Sequence, residues 1–255
     1  MCRLAGYVSG DPSTLSAMLG PSAPNFRDLG RRNPHGWGVA FHEAGSRTLR
    51  RMRESIPITT SALFEKVAVG QQMQSMILHM RDATPGLPVA LQNTHPFTTG
   101  ELAFAHNGAV SLPGLEALLP DAAVLEGDTD SERYFALVAD GIRRGATAAQ
   151  AVRSAAEAIL ESGIAYTSLN AVLLTPEELV AICQFDIVAR PAEQAAEQFA
   201  LRLDVRDGLV GVVSGGWDGA PRTRLANGTL IRIELGTAAM HFEDVAGTSS
   251  RCLIR

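Results

Sequence analysis

Lysine is all but missing from this chain: Lys66 stands alone among 255 residues, and every other basic side chain apart from histidine is arginine. With a formal net charge of −5 and scattered arginines, there is no basic field to hold nucleic acid or an anionic membrane surface. The densest basic run, Arg50-Arg51-Met52-Arg53, reads as a solvated strand end or turn and not as a phosphate patch. Cysteine is scarce as well. Cys2, Cys183 and Cys252 form an odd set without framework spacing, which argues against a disulfide-built secreted fold and for a reducing cytoplasm. No apolar run approaches the roughly 18 residues of a membrane span, and the first residues lack the charged and apolar regions of a leader. Repeats, low-complexity tracts and linkers are missing too, so one domain over residues 1–255 is the expectation. Gly36-Trp37-Gly38 lacks the third glycine and the preceding strand of a dinucleotide loop, which counts against a nucleotide cofactor.

What is present alternates between strand and helix signals. Leu4 to Val8 reads as a short strand closed by Gly10-Asp11-Pro12, with a helical stretch from Ser13 to Leu19 behind it. Gly38 to His42 and Arg47 to Met52 suggest a hairpin, and further apolar runs stand at 75–80, 102–105, 170–174 and 180–185. Two helices are expected, one opening at Thr129 or Asp130 and one over Thr147 to Ser162 that ends at Gly163. They should pack as an antiparallel pair. Phe199 to Val205 alternates with period two, Asp207-Gly208 turns, and 209–214 runs back, with another strand at 229–234. Strands, then helices, then strands again point to an α+β layered fold, not to a βαβ parallel sheet.

Cysteine at position two is the feature with most chemical content. If Met1 is removed, one residue carries a thiol and a free α-amine, and nucleophile and base become the same residue. A thiol of pKa about 8.5 is mostly protonated at neutral pH, whereas an amine of pKa about 7.7 to 8.0 is a usable general base. Five further segments are rich in groups able to bind or react: Asn33-Pro34-His35-Gly36-Trp37-Gly38, His79-Met80-Arg81-Asp82-Ala83-Thr84, Asn93-Thr94-His95-Pro96-Phe97, Ala105-His106-Asn107-Gly108, and Gly127 to Glu132. Each sits where a strand ends or a helix begins, the usual place for loops that present function. His79, His95 and His106 are not at helical ligand spacing, so metal catalysis is not expected. Trp37 is assigned to core packing.

Together with Met1-Cys2-Arg3, these segments resemble the class II glutamine amidotransferases, whose domain is of the N-terminal nucleophile hydrolase type. The likeness runs in order over residues 1–135. It is strongest to a stand-alone branch that includes γ-glutamyl hydrolases of ergothioneine biosynthesis and uncharacterised glutamine amidotransferases, through Asn-Pro-His-Gly-Trp-Gly, Asn-Thr-His-Pro-Phe and Ala-His-Asn-Gly. The resemblance implies a four-layer αββα sandwich with Cys2 as nucleophile at the start of the first strand. It implies that Arg81 grips the substrate α-carboxylate, for which a guanidinium fork is suited, and that Asp130 receives the α-ammonium. Thr84 either adds a hydroxyl to that carboxylate or caps a turn. Asn107, through its side chain, and Gly108, through its N–H, match the oxyanion hole, and His95 lends its backbone or shapes the pocket. Asp128 is read as a neighbour or an N-terminal cap. Asp82 departs from synthase-linked relatives, in which a tryptophan commonly follows the arginine.

The expected activity is hydrolysis of a γ-glutamyl amide, glutamine or a γ-glutamyl metabolite, through a Cys2 thioester, with no cofactor and no metal. Beyond residue 135 no phosphate loop or second domain stands ready to accept ammonia. The alternatives are a glutaminase subunit that feeds a separate synthase and a non-catalytic γ-glutamyl-binding regulatory module. A small-molecule γ-glutamyl substrate is the expected partner, with a synthase subunit and self-association left open.

Overall fold

The computed structural model describes residues 2–43, 45–46, 48–84, 86–189, 191–216, 222–245 and 249–250. Met1, Arg47 and Cys252 lie outside the described residues. The strands are β1 (Arg3–Thr14), β2 (Trp37–Glu43), β3 (Leu49–Glu54), β4 (Gln72–Met80), β5 (Phe97–Thr99), β6 (Leu102–Asn107) and β7 (Asn170–Leu174), then β8 (Glu178–Cys183), β9 (Arg202–Arg206), β10 (Leu209–Val213), β11 (Thr223–Arg224), β12 (Thr229–Glu234), β13 (Met240–Asp244) and β14 (Ser249–Ser250). The helices are α1 (Leu15–Leu19), α2 (Ala23–Leu29), α3 (Ala62–Gly70), α4 (Leu112–Glu116), α5 (Asp130–Arg143), α6 (Ala148–Glu161) and α7 (Ala192–Phe199).

Among the described residues the strands form two antiparallel sheets, ordered β11-β9-β10-β1-β4-β2-β3 and β14-β13-β12-β8-β7-β6-β5. Alternation of side chains along each strand separates three apolar layers. Leu4, Val8 and Ile77 of the first sheet meet Ala103, Ala105 and Val172 of the second in the central layer. The opposite face of the first sheet, with Tyr7, Val39 and Leu78, is covered by Leu15, Phe26 and Phe64 of α1, α2 and α3. The outer face of the second sheet, with Phe104 and Leu173, is covered by Tyr134, Val138, Val152 and Ile159 of α5 and α6. This is the αββα order that the resemblance implies.

Local chemistry sets the main boundaries. Thr129 caps α5 by accepting from the Glu132 N–H at 3.2 Å, and Thr147 closes a capping box with Gln150 at the start of α6, caps worth about 1 kcal/mol each. Asp128 is therefore a neighbour of the cap and not the cap: it pairs with Asn93, whose Oδ1 accepts from the Asp128 N–H at 2.8 Å. The first strand departs from expectation. Gly10-Asp11-Pro12 does not close it; β1 runs on to Thr14 through an irregularity between Val8 and Ser13, where Pro12 has no N–H to give and Gly10 N–H bonds to Gly208 O at 2.8 Å. The helix behind it accordingly begins at Leu15, capped by Thr14. Trp37 is fully buried against Phe64, its Nε1 donating to Glu54 at 3.2 Å.

Candidate active site

Period-two alternation directs three of the singled-out residues toward the layer between the two sheets. Cys2 extends the Leu4–Val8 face of β1, Arg81 extends the Ile77–His79 face of β4, and Asn107 continues the Ala103–Ala105 face of β6. β1 and β4 are antiparallel with Arg3 opposite Met80, so the start of one strand and the end of the other coincide. Contact follows directly. The Asp82 N–H donates to Cys2 Sγ at 3.2 Å, and the thiol reaches the Asp82 carbonyl at 3.4 Å. Burial pushes the Cys2 thiol above its ordinary pKa, with the Asp82 backbone bond opposing part of that shift. The thiol is therefore the resting form at neutral pH, and a base is needed to activate it.

Arg81 is almost fully buried, at 3% exposure. Its main chain is fixed by the Gly36 carbonyl, which accepts from the Arg81 N–H at 2.8 Å; Gly36 itself sits at φ +134°, a conformation suited to glycine. The Arg81 Nη1 donates to the Pro88 carbonyl at 3.0 Å, whereas Nη2 is buried and makes no hydrogen bond among the described residues. A buried guanidinium nitrogen with no acceptor is costly, and a carboxylate is the group that satisfies it best. On the same rim, the His35 Nδ1 accepts from the Ala83 N–H at 3.0 Å and lies 3.5 Å from Asp82 Oδ1.

The rings of His79 and His95 pack at a tilt of 36° with centroids 4.1 Å apart, and His95 meets Phe97 edge-on at 4.6 Å. Burial drives both histidines to the neutral form, His79 down to about 3 and His95 well below the ordinary value. His79 also faces the main chain of His106, which links the first sheet to the second one residue before Asn107. Asn107 ends β6 opposite Asn170 of β7. Gly108 follows where a side chain cannot stand: a Cβ would run into the Ser168 carbonyl and lie 2.7 Å from His106 Nε2.

Asp130 opens α5, buried to 8% exposure, and its Oδ2 accepts from the Val110 N–H at 2.7 Å. The carboxylate is thereby tied to the chain just after Gly108. Glu132 folds the preceding loop back by accepting from the N–H groups of Glu126 and Gly127 at 2.7 and 2.8 Å. Thr84 stands apart, exposed on the turn in which its carbonyl accepts from the Leu87 N–H at 3.0 Å. His95 is deeper than a surface contact residue, packed against the His79 ring. His35, Asn93, Ser131 and Ser168 enter the site without a role assigned from sequence; His35 and Asn93 were visible as members of polar motifs, while Ser131 and Ser168 become meaningful only through the packing around His106.

Similarity to known proteins is clear at the level of family and fold. The profile of the family "Glutamine amidotransferases class-II" matches residues 1–200. A γ-glutamyl-hercynylcysteine sulfoxide hydrolase of Mycobacterium tuberculosis is 32% identical over 139 residues, covering 51% of this chain and 57% of the relative. An Escherichia coli protein named "Putative glutamine amidotransferase YafJ" is 33% identical over 147 residues, covering 53% of this chain and 52% of the relative. The matched region thus spans little more than half the length of these curated relatives. Among solved structures, a glutamine aminotransferase class-II domain protein from Silicibacter pomeroyi superposes with a TM-score of 0.66 at 19% identity, covering 95% of this chain and 99% of that one. The glutamine phosphoribosylpyrophosphate amidotransferase of Bacillus subtilis superposes at 0.69 and 17% identity, covering 98% of this chain and 50% of that one. Both carry the same fold.

Proposed function

Because this chain belongs to the class II glutamine amidotransferases, we propose that it hydrolyses a γ-glutamyl amide at the Cys2 rim and releases glutamate and an amine. Arg81 Nη2 carries this reading: a buried, unpartnered guanidinium nitrogen lies in the segment whose next N–H holds the Cys2 sulfur. A γ-glutamyl amide presents a carboxylate, an ammonium and a scissile carbonyl. Arg81 receives the α-carboxylate and Asp130 the α-ammonium of the same carbon, and the β- and γ-methylenes beyond that anchored head carry the scissile carbonyl to Cys2.

The reaction then follows from the groups at hand. Removal of Met1 frees the α-amine of Cys2, which takes the thiol proton as sulfur attacks the carbonyl carbon of the γ-carboxamide. The side-chain amide of Asn107 and the N–H of Gly108 stabilise the tetrahedral oxygen, each such donor being worth about 3 kcal/mol. The amine hands its proton to the departing nitrogen, the C–N bond breaks, and a γ-glutamyl thioester remains on Cys2. Water, deprotonated by the same amine, attacks the thioester; the thiol is regenerated and glutamate leaves.

The test is direct. Purified, N-terminally processed protein is treated with a glutamine-mimicking diazoketone, the adduct is mapped by mass spectrometry, and glutamate release is measured for the unmodified protein and Cys2→Ala. An adduct on the Cys2 peptide with hydrolysis lost in Cys2→Ala is expected. Equal release by both proteins, with no adduct, overturns the mechanism. A panel of γ-glutamyl amides beside glutamine separates an amine-releasing hydrolase from an ammonia-supplying subunit. The hydrolase named among the relatives favours the first, and hydrolysis confined to glutamine and stimulated by a synthase would favour the second.

A further inference from the structure

His106 makes no contact with the sulfur, yet it touches both halves of the substrate-binding frame. Its Nε2 lies 2.8 Å from the Ser168 carbonyl and its Nδ1 lies 2.9 Å from Ser131 Oγ. A carbonyl only accepts, so Nε2 must carry the ring proton. The ring is fully buried, and burial holds it toward the neutral form against the pull of nearby Asp130. In a neutral imidazole with its proton on Nε2, Nδ1 is a lone pair, and the only way to satisfy it is for Ser131 to donate its hydroxyl proton there.

That assignment fixes the state of Asp130. Ser131 Oγ is also 3.5 Å from Asp130 Oδ1, but a hydroxyl has one proton, already committed to His106 at the shorter distance. Asp130 Oδ2 is occupied by the Val110 N–H at 2.7 Å. Oδ1 is left as an acceptor. The same Ser168 carbonyl that orients His106 also leaves no room for a Cβ at Gly108, so the histidine and the turn at Gly108 share one anchor.

We infer that His106 is a positioning residue that draws the Ser131 proton onto itself and so keeps Asp130 Oδ1 open for the α-ammonium of the substrate. The inference rests on Asp130 being the ammonium acceptor, as set out above. Its consequence is specific: losing the His106 acceptor frees Ser131 to donate to Asp130 and compete with the ligand.

His106→Gln removes Nδ1 while keeping an N–H for Ser168, and the double variant His106→Gln/Ser131→Ala removes the competitor as well. Binding of L-glutamate and of glutarate, which lacks the α-ammonium, is measured by calorimetry in the full chain. Glutamate affinity should fall about tenfold in His106→Gln, recover by several fold in the double variant, and glutarate affinity should stay within about twofold throughout. Such recovery is a coupling that a merely structural histidine does not produce. Equal losses for both ligands, or a double variant no better than the single, overturn the inference. Should His106→Gln fail to fold, His106→Phe with and without Ser131→Ala gives a second comparison, since it too lacks Nδ1, with the N–H to Ser168 lost equally in both members of the pair. Failure of the unmodified protein to bind glutamate defeats the underlying reading of the site; binding that His106→Gln leaves unchanged defeats only the role of His106.

Discussion

The Asp82 N–H donates to Cys2 Sγ at 3.2 Å, so the segment that carries Arg81 also holds the sulfur. That hydrogen bond favours thiolate, but burial outweighs it and the thiol stays above its ordinary pKa. Alkylation of Cys2 by iodoacetamide should therefore climb through about pH 9 without levelling, followed on the Cys2 peptide by mass spectrometry. A plateau near neutrality would mean that the thiolate is stabilised in the resting enzyme and needs no base.

Arg81→Lys should raise KM for a γ-glutamyl substrate by about ten- to a hundredfold, with a smaller change in kcat. Arg81 divides its fork between the Pro88 carbonyl and a buried nitrogen without a partner. A single ammonium on a flexible stem cannot hold the loop and a planar carboxylate with the same geometry. Steady-state kinetics decides this, and a KM within about twofold of the unmodified protein would remove Arg81 from substrate binding.

The buried histidines make stability depend on acid. His79 falls to about 3 and His95 well below the ordinary value, both chiefly by desolvation, whereas an unfolded histidine titrates near pH 6.5. Below about 6.5 the unfolded chain therefore binds protons that the folded one does not, and stability falls with pH by up to about 1.4 kcal/mol per pH unit for each histidine. This loss runs from about pH 6.5 down toward pH 3 for His79. Urea midpoints measured at about pH 7 and pH 5 should show it, and His95→Phe should make the dependence shallower. The same slope in that variant would contradict the assignment.

Features written into local sequence were legible, and features made by packing were not. Thr129 and Thr147 stand at the expected helix starts because a hydroxyl followed by the right N–H is a purely local arrangement, and both turn out to be caps. Cys2, Arg81, Asn107, Gly108 and Asp130 were all singled out, since their chemistry is unusual at strand ends and helix starts. α3, which follows Ser61, and α7, which follows Pro191, were missed: each is under ten residues, too short for periodicity to stand out. The continuation of β1 through Pro12 was hidden because a turn signal and a bulged strand look alike until the partner strand is known. The link from His106 to Asp130 through Ser131, and from His106 to Gly108 through Ser168, requires two sheets and a helix to be in place.

Gly108→Ala is the sharpest probe of the proposed oxyanion turn. The site has no slack: the added Cβ runs into the Ser168 carbonyl and lies 2.7 Å from His106 Nε2, both of which are already committed to one another at 2.8 Å. The backbone at Gly108 must move away, and its N–H moves with it. If Arg81 and Asp130 hold the amino-acid head of the substrate as proposed, ground-state binding should survive better than transition-state stabilisation. The expected result is a fall in kcat of about a hundred- to a thousandfold, with KM changed far less, and the Cys2 thiol still open to small alkylating reagents. Displacement of a donor used mainly in the transition state produces that split. A variant with kcat close to that of the unmodified enzyme would place the oxyanion elsewhere than at Gly108.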